Sequence, residues 1–303
     1  MVSGLTRPAS SRPSRKRSRF SEGSAISAEL LADRTGQTQA ADGTRLDWRA
    51  WSPPDPKLAL AVIHGHGEHG GRYAGLAAAM AERGIATYAL DVRGHGTSGG
   101  PRGHTISWGT LIDDAALFHS TVAAESGVES VPLGHSVGGS IVLSAVVRGR
   151  LTPKRFVVSS PALRVKAAVP GWKVTLGKVA SRLVPTLALA TELDARHISR
   201  DPLVVAAYIS DPLVHSKMSA RFYTEWQAAD EEILDRAAEI TVPFLATHGS
   251  GDQIIDSTAT EELDRRATVP GRKLIIYPGF YHEPYNDIGR EQVFADLAAW
   301  LTS

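Results

Sequence analysis

The sequence predicts one α/β domain: a mostly parallel central sheet flanked by helices, with a helical insertion after the sixth strand. Three observations predict it. Short continuous apolar runs, Leu58–Ile63 and Ile85–Leu90 foremost, suit strands buried on both faces. Stretches of helical length alternate with those runs, which implies a sheet covered on both sides. The alternation fails between residue 161 and about residue 229, where the periodicity is helical and no buried strand is evident, and then resumes.

Taken in order, residues 37–40 and 45–51 flank the turn Asp42-Gly43 and read as a β-hairpin, which Pro53, Pro54 and Pro56 end. Residues 58–63 form the next strand, and 72–83 a helix closed by Gly84. Residues 85–90 are a strand, followed by a glycine-rich loop over 93–103 and a helix over 108–124. The strands 131–134 and 156–159 bracket a helix over 137–147. Beyond the insertion, strands are expected at 242–247 and 273–277, with helices at 257–267 and 292–301. The core thus comprises residues 28–161 and 230–303, and residues 162–229 form the cap-like insertion.

Residues 1–27 are rich in Ser, Arg, Pro and Gly and read as a disordered basic tail. Residues 1–25 hold six basic residues and one acid; removing them leaves 27 basic against 31 acidic residues. The remainder is therefore mildly acidic and does not read as a nucleic-acid binder. Of the 303 residues 43% are hydrophobic, enough for a full core, and none is cysteine, which excludes thiolate catalysis and cysteine-based zinc sites. With no long apolar run and no signal-peptide pattern, a cytoplasmic protein is expected, peripheral to membranes at most.

Gly134-His135-Ser136-Val137-Gly138 fits G-x-S-x-G between a strand and a helix. Such an elbow holds a nucleophilic serine on a strained turn, and its glycines remove side chains that would collide there. The helix that follows aims N–H groups at developing negative charge. A serine hydroxyl needs a base, and in folds with this elbow the order is Ser, acid, His. Asp252 follows the strand 242–247, and His282 follows the strand 273–277. Asp256 is the rival acid, but its place near a helix start suits an N-cap, so Asp252 is preferred. His135 and His248 read as local packing or supporting residues; His95, His104, His119, His197 and His215 have no motif that makes them bases.

The loop His64-Gly65-His66-Gly67-Glu68-His69 follows the strand 58–63. In this position it offers a backbone N–H to an oxyanion, which assigns the two donors to the amides of His66 and Val137. A competing reading takes H-x-H-x-E-H as a metal cluster. That reading leaves Ser136, Asp252 and His282 unexplained, so no metal or cofactor is expected.

Together these segments resemble the monoacylglycerol lipase family, grouped with lysophospholipases and the serine aminopeptidase-like α/β-hydrolases. The resemblance rests on His64–His69 with Arg72-Tyr73, on Asp91-Val92-Arg93-Gly94-His95-Gly96-Thr97-Ser98 with Pro101-Arg102-Gly103, and on the serine elbow. It continues through Asp211-Pro212-Leu213-Val214, His248-Gly249-Ser250-Gly251-Asp252 and Tyr277-Pro278-Gly279-Phe280-Tyr281-His282-Glu283. It implies the α/β-hydrolase fold and an ester hydrolase acting on monoacylglycerols under a helical cap, with the triad Ser136, Asp252 and His282. Lysophospholipids and simpler esters stand as alternative substrates, and a non-catalytic binding protein as the alternative of another class. The resemblance also places Glu68 and Arg72 near the glycerol head group, although the pair reads equally well as an internal salt bridge that shapes the loop. Two departures are visible. His66 stands where a small or apolar residue is common, and Tyr285, where some members carry a second histidine, becomes a further head-group contact.

In the insertion, Trp172, Leu176, Val179 and Leu183 share one helix face, with Lys173, Lys178 and Arg182 off it, between Pro170 and Pro185. Such a stripe either packs on its own domain or contacts lipid aggregates and admits an acyl chain. The family resemblance favours lipid contact, with a lipid ester as substrate.

Overall fold

The computed structural model describes residues 32–167, 171–191 and 193–303. The expected tail and Pro170 lie outside the described residues. Strands β1 (Arg34–Gln39) and β2 (Arg45–Trp51) form the expected hairpin. Strand β3 (Leu58–Ile63), helix α1 (Ala74–Ala81), β4 (Ile85–Leu90), α2 (Trp108–Ser126), β5 (Glu129–His135), α3 (Val137–Val147) and β6 (Phe156–Ser159) follow. Between β6 and the next sheet strand lie α4 (Gly171–Leu183), β7 (Ala188–Ala190), α5 (Pro202–Ser210), β8 (Lys217–Ser219) and α6 (Ala220–Asp235), the last running unbroken past residue 229, the expected end of the insertion. Then come β9 (Phe244–Gly249), α7 (Ser257–Arg266), β10 (Lys273–Tyr277) and α8 (Arg290–Leu301).

The main sheet has eight strands in the order β1-β2-β4-β3-β5-β6-β9-β10. β1, β2 and β4 pair antiparallel, and every later pairing is parallel. This is the α/β-hydrolase fold. The chain turns back across β3 to place β5 on its other side, so the carboxyl ends of β3 and β5 open the crevice where such sheets hold their sites. Alternate residues of each inner strand face opposite layers, as the two-residue period of a strand requires. Ala59, Ala61 and Ile63 join the core under α2, α3, α6 and α7, whereas Leu58, Leu60 and Val62 join the core under α1 and α8.

Several element ends shift by a few residues, and three differences from expectation have a clear structural form. β9 begins at Phe244 rather than at residue 242, because Pro243 has no N–H for the ladder and only accepts, from Phe156 N at 3.2 Å. The helix expected from residue 72 opens instead with a 3-10 turn, Gly70–Tyr73, capped by the His69 ring. The insertion is not wholly helical: β7 and β8 form a short antiparallel ribbon. Helix α6 also reaches back to the core, where Phe222, Trp226, Ala229 and Ile233 are buried and Trp226 Nε1 donates to Ala162 O at 3.0 Å. No helix among the described residues is long and apolar enough to cross a membrane.

Candidate active site

β5 delivers Ser136 at its end and α3 starts at the next residue. Ser136 sits at φ 52°, ψ −121°, a region that side-chain-bearing residues rarely occupy and that costs about 1–3 kcal/mol. Its neighbours force the bend. A Cβ on Gly138 would stand 2.0 Å from Ile63 O, and one on Gly134 would stand 2.3 Å from Gly138 O. Ser136 N donates to Ser159 O at 2.9 Å, and Ser136 O accepts from Gly139 N at 2.9 Å and Ala162 N at 3.0 Å. The strain is thereby held by the adjoining strand and helix.

The loops after β9 and β10 bring the other two residues to it. His282 Nε2 lies 2.9 Å from Ser136 Oγ, and His282 Nδ1 lies 2.7 Å from Asp252 Oδ2. A carboxylate only accepts, so Nδ1 carries the proton and Nε2 is left to accept from the serine hydroxyl. Asp252 is saturated: Oδ1 accepts from Ile254 N at 2.8 Å and Ile255 N at 3.0 Å, and Oδ2 also accepts from His248 Nε2 at 3.0 Å. Thr260 in turn supports His248 Nδ1 at 2.8 Å. Burial disfavours the Asp252 anion, yet the facing His282 and the bonds from His248 and His282 hold it well below the usual carboxylate range. Burial likewise opposes the His282 cation, and the Asp252 carboxylate outweighs it, raising the imidazole above its ordinary value. Asp256 instead caps α7, accepting from Thr258 N at 3.1 Å.

The loop after β3 lies against the serine: a Cβ on Gly65 would come 3.0 Å from Ser136 Cβ. Of the two residues assigned as oxyanion donors, Val137 directly follows Ser136 and opens α3, and His66 directly follows Gly65 in that loop. The His66 side chain turns into a cluster of rings formed by His95, His215 and Phe222, and its Nε2 donates to Lys217 O at 2.9 Å. The four polar side chains of H-x-H-x-E-H do not converge. His64 Nε2 accepts from Val92 N at 2.9 Å, His69 Nε2 meets Asp211 Oδ2 at 2.8 Å, and Glu68 faces Arg72.

Glu68 and Arg72 form the internal ion pair, at 2.8 Å. Arg72 also grips Glu283 with two nitrogens, at 2.6 and 2.7 Å, and stacks its guanidinium 4.7 Å from the Tyr208 ring centre. Glu68 Oε1 accepts from Gly65 N at 2.7 Å and Tyr73 Oη at 3.1 Å, which shapes the loop beside Ser136. Burial works against both charges; Arg72 keeps Glu68 low, and Glu283 with Glu68 keeps Arg72 high.

Tyr285 is a correction. It is 3% exposed and stacked on Phe294 in the core under α1 and α8, so it offers nothing to a head group. The turn Pro284–Asn286 after His282 carries its apolar ring inward instead. Sequence reasoning gave no role to Glu283, although it adjoins His282 in the segment that carried the resemblance. Nor did it find the backbone of the insertion, where His197 O and Ile198 O accept from His282 N at 3.4 Å and Glu283 N at 2.8 Å.

The stripe on α4 faces outward. Trp172, Leu176 and Leu183 are 66%, 59% and 77% exposed, and Val179 is exposed as well. The helix meets α6 through buried Ser181, whose hydroxyl accepts from Thr224 Oγ1 at 2.9 Å and whose carbonyl accepts from Arg221 at 2.8 Å. The sheltered residues described on α4 are thus the small ones, Gly177, Ala180 and Ser181, and the apolar stripe is left to the surroundings.

Residues 54–289 match the family model described as serine aminopeptidase, S33. A monoacylglycerol lipase of Mycolicibacterium smegmatis is 34% identical over 264 residues, covering 86% of this chain and 94% of that protein. The human monoglyceride lipase is 30% identical over 268 residues, covering 86% and 88%. The crystal structure of Paleococcus ferrophilus monoacylglycerol lipase superposes with a TM-score of 0.77 at 31% identity, covering 84% of this chain and 98% of that one.

Proposed function

The chain belongs to the serine aminopeptidase S33 family and is a carboxylic ester hydrolase, and from that premise we propose that it cleaves monoacylglycerols to fatty acid and glycerol through an acyl-enzyme on Ser136. The observation that carries this reading is the relay Asp252–His282–Ser136, at 2.7 and 2.9 Å, aimed at a serine held at φ 52°. Serine, base and orienting acid stand in hydrogen-bond reach, as nucleophilic catalysis requires.

In the proposed sequence Ser136 Oγ attacks the ester carbonyl while His282 Nε2 takes its proton. The oxyanion accepts N–H bonds from His66 and Val137, each such donor contributing roughly 10²–10³ in rate. The tetrahedral intermediate collapses as His282 returns the proton to the departing glycerol oxygen. Water then attacks the acyl-enzyme with the same base, and the fatty acid leaves. Asp252 holds the tautomer and favours the imidazolium throughout. Monoacylglycerol as the substrate is supported by the mycobacterial and human relatives, which bear that activity in their names. The outward stripe on α4 supports contact of the insertion, read as a cap, with lipid aggregates.

The test is a hydrolysis panel of mono-, di- and triacylglycerols, a lysophospholipid and a short ester, on wild type and Ser136→Ala. Monoacylglycerol should be preferred, and Ser136→Ala should be silent on every ester. Preference for lysophospholipid or for short esters would replace the substrate, and an active Ser136→Ala would end the serine mechanism.

A further inference from the structure

Three histidines with no part in the relay converge beside it. His66 comes from the loop after β3, His95 from the loop after β4, and His215 from the insertion just before β8. One ring nitrogen from each lies within 4.8 Å of the others. We infer that His66, His95 and His215 form a three-imidazole site for a divalent transition ion of the zinc class, which ties the insertion to two loops of the core.

The hydrogen bonds decide which nitrogens are available. His66 Nε2 is 2.9 Å from Lys217 O, His95 Nδ1 is 3.0 Å from Arg93 O, and His215 Nε2 is 3.2 Å from Gly94 O. A carbonyl only accepts, so each of these nitrogens carries the proton and each opposite nitrogen is a bare lone pair. Those opposite nitrogens, His66 Nδ1, His95 Nε2 and His215 Nδ1, are all buried without a hydrogen-bond partner. Three buried acceptors on three clustered rings lack a donor, and a water molecule has only two protons to give. A cation satisfies all three at once. The arrangement is also the one metal-bound histidines use, the far N–H held by a carbonyl that sets the tautomer and aims the ring.

The donor set selects the ion. Neutral imidazoles suit zinc, copper and nickel, whereas magnesium and calcium need oxygen ligands. Burial and the neighbouring imidazoles keep the rings uncharged: His66 is pulled down to about 3, and His95 well below its ordinary value. Zinc–nitrogen bonds of about 2.0–2.1 Å in tetrahedral geometry set donors roughly 3.3 Å apart, so binding draws the rings together and leaves a fourth position open. The backbone is already fixed for this, since His215 N donates to Gly67 O at 2.9 Å. The ion would stiffen the loop that carries the His66 amide. The site shares His66 with the oxyanion hole, through its ring rather than its amide, but the binding test does not depend on the catalytic reading, because the ring nitrogens of the cluster do not involve Ser136, Asp252 or His282.

The experiment uses tag-free, full-length protein stripped with a chelator and dialysed. ZnCl2 is titrated by calorimetry and CoCl2 by visible absorption, on wild type, Ser136→Ala, H215Q and H95Q, with thermal melts beside each. The expected result is one ion per chain in wild type and Ser136→Ala, an intense Co2+ band typical of low coordination number, and a higher Tm with Zn2+. Binding should be weaker by more than about tenfold in H215Q and H95Q. If H95Q does not fold, H215Q decides, since that ring lies on the more open side of the cluster. Absence of stoichiometric binding to wild type overturns the proposal. So does binding unchanged in a folded H215Q, which would put the ion elsewhere.

Discussion

Arg72 holds Glu283 by a two-point ion pair, at 2.6 and 2.7 Å, across the face of the domain. Glu283 directly follows His282, and the same Arg72 nitrogen also bonds Glu68 of the loop beside Ser136. One buried guanidinium therefore couples the loop bearing the base to the loop bearing the His66 amide. Arg72→Met would leave two buried carboxylates facing each other, and removing one member of a buried ion pair costs about 3–5 kcal/mol. A thermal melt should fall accordingly, with kcat reduced because His282 loses its anchor. Arg72→Met combined with Glu283→Gln should recover part of the lost stability. A melt unchanged in Arg72→Met would show that the pair carries no structural weight.

Replacing Asp252 by Asn keeps the shape but lets the neighbouring amide favour the wrong tautomer of His282. The expected loss in kcat is about 10⁴-fold on a soluble ester. Ser136→Ala should lose at least as much while its melting temperature stays close to that of wild type, since only one hydroxyl oxygen is removed and the backbone bonds of the elbow are kept. Steady-state kinetics with a chromogenic ester checks both.

His282 must be neutral to take the serine proton. Its raised pKa means it becomes protonated already at a pH above the ordinary histidine value of about 6.5. The acid limb of kcat/KM should therefore lie above that value, with activity full on its alkaline side and lost as pH falls through it. In the residual activity of Asp252→Asn burial remains and the carboxylate that raises His282 most is gone, leaving only Glu283 and Glu68 to oppose burial, so the limb should move to lower pH. A pH profile of both proteins with a soluble ester decides the matter; an unmoved limb would assign it to another group.

The outward stripe on α4 predicts a substrate-dependent effect. Trp172→Ser with Leu176→Ser should raise KM for a long-chain monoacylglycerol in micelles and leave a short soluble ester nearly untouched. Surface changes of this kind alter stability by about 0.5 kcal/mol or less, so folding should not confuse the result. Equal losses on both substrates would sink the lipid-contact reading.

That Ser136, Asp252 and His282 meet was legible in the sequence because each sits in a short segment whose local structure is self-declaring. A glycine-flanked turn joins an apolar strand to a helix, and two later apolar strands each end just before a polar loop residue. Asp256 was separable from Asp252 for the same reason, since an N-cap announces itself by the helix that follows. The insertion was legible as an interruption, but its ribbon was not, because strands of three residues such as Ala188–Ala190 carry no usable period.

The order of the strands, the elbow and the acid-then-base sequence belong to the chain itself, written in periods of two and 3.6 residues and in glycines that admit a tight turn. The tertiary structure alone decided everything that depends on which distant residues meet. A stripe such as Trp172 to Leu183 has the same spacing whether it faces a core or water, and only the packing of Ser181 on α6 turns it outward. Glu68 and Arg72 became structural when Glu283 arrived from the far end of the chain. Tyr285 moved from the site into the core because its ring found Phe294. Among 11 histidines, His66, His95 and His215 carry no shared motif, and their rings cluster only because two core loops and the insertion close over the same spot.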